Sequence, residues 1–146
     1  MKIALGADHQ GYVLKEKIKE NLENKSLAYT DFGTFVLDEC DYPEFAYKVA
    51  RAVSLSGFDR GLLVGSTGIG MCIAANKMKG IRAIYSSNQD IARLSRLEMD
   101  TNILCLGQET TDVELAMEII DTWLSTSFEG GEHARRLELF NKLIGT

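Results

Sequence analysis

Gly65, Gly68 and Gly70 bracket Ser66 and Thr67 in the stretch GLLVGSTGIGMCIAANK (61–77), between an apolar run and a segment with helical spacing. Glycine lets the backbone take positive φ and lets a ligand come close to peptide N–H groups. A helix that starts there adds unpaired N–H donors and the positive end of its dipole. Such a bend suits an anion, or an oxygen on which negative charge develops. Two familiar phosphate motifs do not fit. A P-loop carries Lys and Ser/Thr after its second glycine, where Met71 and Cys72 follow Gly70; the dinucleotide fingerprint GxGxxG is here GxxGxG. The alternative is a tight strand-to-helix turn that binds nothing. A second stretch, GADHQG (6–11), puts Asp8 and His9 side by side. There Asp8 either caps the next helix or, with His9, meets a ligand.

These residues need a scaffold, and the hydrophobic pattern supplies one. KIALG (2–6), LAYTDFG (27–33), RGLLVG (60–65), IRAIYS (81–86) and NILCLG (102–107) read as strands. Helical spacing marks 11–24, the segment opened by Asp41-Tyr42-Pro43, 70–78, 89–98, 112–125 and 132–144. The near-continuous apolar run at 60–65 suits a strand buried on both faces. Strands alternating with helices predict one doubly wound α/β domain over residues 1–146, a five-stranded parallel sheet covered on both faces. Ligands bind such sheets beyond the carboxyl ends of the strands. The loops 7–11, 34–42, 65–70, 86–89 and 107–111 are therefore where the site is expected.

Composition removes several function classes. With 146 residues, 45% of them apolar, the chain supports one domain with a full core. A net charge of −5 leaves no basic surplus for nucleic acid. No apolar run reaches the roughly 18–20 residues of a membrane span, and MKIALGADHQ turns polar too early for a signal peptide. Cys40, Cys72 and Cys105 are scattered without CxxC spacing and there are only two histidines, so no metal site is expected and the thiols read as reduced and cytoplasmic.

The two loops together resemble the family of ribose-5-phosphate isomerase type B and galactose-6-phosphate isomerase. The stretches that carry the resemblance are MKIALGADHQGYVLKEKI, DFGT, DYPEFAYKVARAV, GSTGIGMCIAANKMKGIRA, ARLSR, DTNILCLG and FEGGEHARR, in order along nearly the whole chain. The resemblance implies a Rossmann-like three-layer α/β/α sandwich and a homodimer or tetramer whose sites are shared between subunits. It also implies aldose–ketose interconversion of a phosphorylated sugar through an enediolate, without metal or cofactor. Asp8 and His9 would contact the sugar, help open its ring or bind phosphate, and Tyr42 would line the pocket. Ser66, Thr67, Gly68, Ile69 and Gly70 would form the cradle, and Arg136 would reach the phosphate from the neighbouring subunit.

The chain departs from this pattern at the chemistry. The base cysteine of many ribose-type members falls on Gly65, and the glutamate of another branch on Met71; neither residue exchanges a proton. The ring-opening histidine falls on Glu98 and the asparagine after it on Met99, while two phosphate arginines fall on Glu109 and Glu132. Candidate replacements are Glu98, whose carboxyl pKa rises if it is buried near an anion site, Cys72 if its helix turns it inward, and Ser66. His133 and Arg136 share one helical face, and Arg135 is placed to compensate for Glu132. Two readings follow: a sugar-phosphate isomerase, with ribose 5-phosphate and ribulose 5-phosphate as its substrates, or a sugar-phosphate binder without activity of its own. In the second the chain acts alone or as one subunit of a mixed isomerase, as in the galactose-type enzymes, which are built from two unlike chains.

Overall fold

The structure is a computed structural model that describes residues 1–145. Five strands, β1 (Lys2–Ala7), β2 (Ala28–Asp31), β3 (Arg60–Gly65), β4 (Ala83–Tyr85) and β5 (Ile103–Gly107), form one parallel sheet in the order β2-β1-β3-β5-β4. The central strands are buried along almost their whole length, as their unbroken apolar runs require. Six helices follow: α1 (Tyr12–Asn24), α2 (Tyr42–Ser54), α3 (Ile69–Ala75), α4 (Gln89–Met99), α5 (Val113–Ser125) and α6 (Glu132–Ile144). No helix among the described residues is long and apolar enough to cross a membrane.

The alternating side chains of the strands feed two cores. Leu5, Leu62 and Leu104 pack with Leu14 and Ile18 of α1 and Ile119 and Trp123 of α5 on one face. Ala4, Leu63 and Cys105 pack with Phe45 and Val49 of α2 and Met71 and Ala75 of α3 on the other. The result is the expected α/β/α sandwich. The second strand is shorter than its apolar pattern, because Gly33 takes φ 94° and turns the chain out of the sheet. The turn is nevertheless tied to β1: Ala7 N–H donates to the Gly33 carbonyl (2.7 Å) and Thr34 N–H to the Ala7 carbonyl (2.6 Å).

A fully buried lysine holds that turn in place. Lys15 Nζ pairs with Asp31, whose Oδ1 also accepts the Gly33 N–H at 2.8 Å. Burial alone would raise the Asp31 carboxyl pKa, but the hydrogen bonds from Lys15, Gly33 and Lys19 outweigh it and bring the value below the ordinary 3.8.

Candidate active site

β1 is flanked by β2 on one side and β3 on the other, so the connections leaving β1 and β3 run in different directions. Such a reversal opens a crevice at the carboxyl ends of the two strands. The crevice is a cavity of about 210 Å³. Asp8 and Gln10 line it from the end of β1, Tyr42 from the start of α2, and the segment from Gly65 to Met71, Ile69 excepted, from the end of β3.

Asp8 is 5% exposed. Its Oδ1 accepts the N–H groups of Gln10 (3.0 Å) and Gly11 (3.0 Å), so the carboxylate closes its own turn. Helix α1 starts after Gly11 with no side-chain cap, so Asp8 braces the turn ahead of the helix rather than the helix itself. The second oxygen, Oδ2, takes no hydrogen bond from any described residue. His9 points elsewhere: its Nδ1 accepts the Cys40 N–H at 3.2 Å, with the Cys40 thiol 3.7 Å away. An accepting Nδ1 leaves the proton of the neutral ring on Nε2.

Across the crevice the glycine bend presents backbone. Gly65 and Ser66 turn their carbonyls to the loop after β5, where they accept the N–H groups of Gln108 (2.9 Å) and Glu109 (3.0 Å). A trans peptide points its N–H opposite to its C=O, so the N–H groups of Ser66 and Thr67 face away from β5, toward the β1 side. Neither they nor the Gly68 N–H bond to another described residue. The bend depends on Gly68, which has φ 84° and whose added Cβ would stand 2.7 Å from the Leu106 carbonyl oxygen. Gly70 is needed for a different reason: the Tyr42 ring lies over it, with Cε2 and Cζ 2.7 Å from where a Cβ would be. The lining thus contains one carboxylate, several unused N–H donors and no cation. Among the described residues no group of three His, Cys, Asp or Glu stands together as metal ligands.

The structure therefore brings Asp8, Tyr42, Ser66, Thr67, Gly68 and Gly70 to one cavity, and places the other expected residues elsewhere. Ile69 projects outward, 52% exposed. Cys72 sits on the far side of α3, where its Sγ meets the Ala83 carbonyl (3.5 Å). A hydrogen bond with Cys105 lowers the Cys72 pKa to about 7 against an opposing contribution from burial, and burial first, then Cys72, pushes Cys105 well up. Cys72 thus does not turn inward to the bend. Glu98 is half-buried near the end of α4 and forms no ion pair among the described residues. Met99 opens on a second, larger cavity of about 570 Å³ between the end of α4 and α6, lined also by Phe128, Ala134, Leu137 and Phe140. His133 faces Glu129 (3.4 Å), and Arg135 is paired with Glu132 (2.9 Å) rather than directed at the cavity. Arg136 is exposed on α6.

Met71, the position on which the glutamate of another branch falls, lines the cavity, and so does Gln10, which the sequence did not single out. Gln10 is two residues from Asp8, a signal that was available. The contact of Cys40 with His9 spans 31 residues and left no local trace.

The chain is similar to known proteins along nearly its whole length. A family model described as Ribose/Galactose Isomerase matches residues 3–140. Ribose-5-phosphate isomerase B of Escherichia coli is 44% identical over 137 residues, covering 94% of this chain and 92% of its own. Among solved structures, ribose-5-phosphate isomerase B of Clostridium thermocellum superposes with a TM-score of 0.97 at 44% identity, covering 99% of this chain and 98% of its own. The Mycoplasma genitalium ribose-5-phosphate isomerase B, solved with bound ribulose-5-phosphate, gives 0.94 at 36% identity, covering 99% and 96%.

Proposed function

The chain belongs to the ribose/galactose isomerase family, and from that premise we propose that it interconverts ribose 5-phosphate and ribulose 5-phosphate through an enediolate. The reaction needs no cofactor: a proton moves between two neighbouring carbons while negative charge shifts from one oxygen to the other. The unbonded N–H groups of Ser66, Thr67 and Gly68 are the preorganised donors that such a charge requires, and their sharing the β1–β3 crevice with the Asp8 carboxylate is the observation that carries this reading. The Ser66 hydroxyl and Tyr42 add contacts to the sugar hydroxyls, and the reading assigns ring opening or phosphate contact to His9, next to Asp8 in the same loop.

One protomer's cavity lacks a cation for the phosphate. The reading assigns that role to Arg136 of a second copy, with His133 beside it, and gives Glu98 and Met99 of that copy the ring-opening side of the sugar. The protein would then act in the cytoplasm as a homodimer or tetramer with shared sites, on a reaction of pentose phosphate interconversion. The test is to incubate the purified protein with ribose 5-phosphate in D2O and follow deuterium at C2 and ribulose 5-phosphate by NMR. Absence of exchange at C2 of every pentose and hexose phosphate tried sinks the reading.

A second reading is supported by the same cavity: Gly65 and Met71 bring no proton-exchanging group to it. On that reading the chain binds sugar phosphate without turning it over, or works only with an unlike subunit. Full activity of the homo-oligomer alone rules this out.

A further inference from the structure

We propose that Asp8 is the base that carries the proton between C2 and C1 of the sugar, an assignment that rests on the isomerase reading above. The hydroxyls of Ser66 and Thr67, the Tyr42 phenol and the Gln10 amide are hydrogen-bonding groups rather than bases, and a thioether takes no proton. The Asp8 carboxylate is the one proton acceptor in the lining.

Its placement fits the task. Ala7 pairs with Val64 in the parallel register, and Asp8 N–H reaches the Val64 carbonyl at 3.4 Å, so Asp8, one residue past β1, stands abreast of Gly65 at the end of β3. Neighbouring strands lie about 4.8 Å apart, a spacing that puts a carbon skeleton held at the bend beside the carboxylate. Two backbone N–H groups clamp Oδ1 and so fix the orientation of the group, leaving Oδ2 as its one unengaged oxygen. Gly65 puts no side chain between Oδ2 and the bend. A reacting group held in this way does not have to search for its geometry.

The step balances with no external reagent. Oδ2 removes the proton from C2 of the open-chain aldose; the C2–H electron pair becomes the C1=C2 bond, and the carbonyl pair moves onto O1, beside the N–H donors. The hydroxyl proton of O2 passes to O1. The O2 charge then closes to the C2 carbonyl while Oδ2 gives its proton to C1. The ketose leaves and Asp8 is again a carboxylate.

The experiment compares C2 exchange of ribose 5-phosphate in D2O for the natural chain and for Asp8→Asn, which keeps the Oδ1 acceptor for Gln10 and Gly11. General-base catalysis contributes about 10²- to 10⁴-fold. The expected result is a fall of at least about a hundredfold in exchange, with ribose 5-phosphate affinity by calorimetry changed by less than about threefold. Exchange in Asp8→Asn within tenfold of the natural chain overturns the assignment and leaves the isomerase reading standing. No exchange by the natural chain overturns both. A second measurement needs no variant: the natural chain is treated with an epoxide analogue of a pentose phosphate, which a catalytic carboxylate opens to an ester, and the peptides are mapped by mass spectrometry. An ester on Asp8 that ribose 5-phosphate protects against supports the assignment; labelling confined to other residues, Glu98 included, or no labelling overturns it.

Discussion

Asp8 and Gly65 stand abreast at the ends of β1 and β3, one with a buried carboxylate and the other with no side chain. The two walls of the crevice differ accordingly. A carboxylate follows the first strand, and peptide N–H groups held in place by carbonyl bonds to the β5 loop follow the third. A bare Gly65 leaves the crevice open between them.

The glycines of the bend are not equivalent under substitution. A Cβ at Gly65 meets Met71 Cγ at 3.5 Å and Gly68 N at 3.6 Å, ordinary contacts at an ordinary φ. Gly65→Ala is expected to melt within a few degrees of the natural chain. Gly68→Ala places a side chain at φ 84° and 2.7 Å from the Leu106 oxygen, and is expected to cost about 1–3 kcal/mol. Thermal unfolding of the two variants reads the difference, and equal melting temperatures contradict it.

Tyr42 and Gly70 are predicted to couple. Gly70→Ala must displace a ring whose atoms lie 2.7 Å from the new methyl group. In a Tyr42→Ala background that obstacle is gone. A double-mutant cycle should therefore return an interaction of about 1 kcal/mol or more between the positions, whereas additive losses would show that the ring gives way freely.

Acid should unfold the protein partly through Asp31. Its folded pKa lies below the ordinary 3.8, so its ionised form contributes stability that is present above the unfolded value and lost as pH falls through the folded one. Asp31→Asn leaves the buried Lys15 without its main partner and is expected to cost about 3–5 kcal/mol at pH 7. The variant should also lose part of the natural chain's steep decline below about pH 4. Urea titrations at pH 7, 5, 4 and 3 measure both effects; parallel pH profiles contradict the second.

Cys72 is predicted to be reactive and dispensable for turnover. Its thiol has a pKa of about 7, so alkylation by iodoacetamide should rise through neutral pH as the thiolate forms. The side chain faces the Ala83 carbonyl rather than the cavity, so Cys72→Ser is expected to keep C2 exchange within about twofold of the natural chain. A loss beyond tenfold returns Cys72 to the list of candidate bases.

Much of the scaffold was legible because the central strands are apolar runs and the longer helices carry a one-sided stripe. RGLLVG marks β3 and its six residues are those observed, and the Asp41-Tyr42-Pro43 start of α2 follows from the φ that proline fixes. The glycine bend was legible as a strand-to-helix turn with open N–H groups for the same local reason. What could not be read was direction. Whether Cys72 faces the bend or β4 depends on the rotation of a seven-residue helix, and the engagement of His9 by Cys40 depends on a loop closing over 31 residues. Asp8 could be read as a cap or as a ligand contact; its two oxygens do different things, a distinction made by the turn and not by the residue type.

The cavity joins segments that enter the chain more than fifty residues apart, Asp8 after β1 and Ser66 after β3, and the β1–β3 pairing ties them together. Occupancy of the cavity is therefore linked to that one ladder. A ligand that binds the folded form alone adds its binding free energy to the opening of the central strands, while the three-residue strand β4 at the sheet's margin can fray without disturbing it. In amide-exchange terms the ligand should slow β1 and β3 together and leave β4 at its own pace, so the site works as a latch on the middle of the sheet.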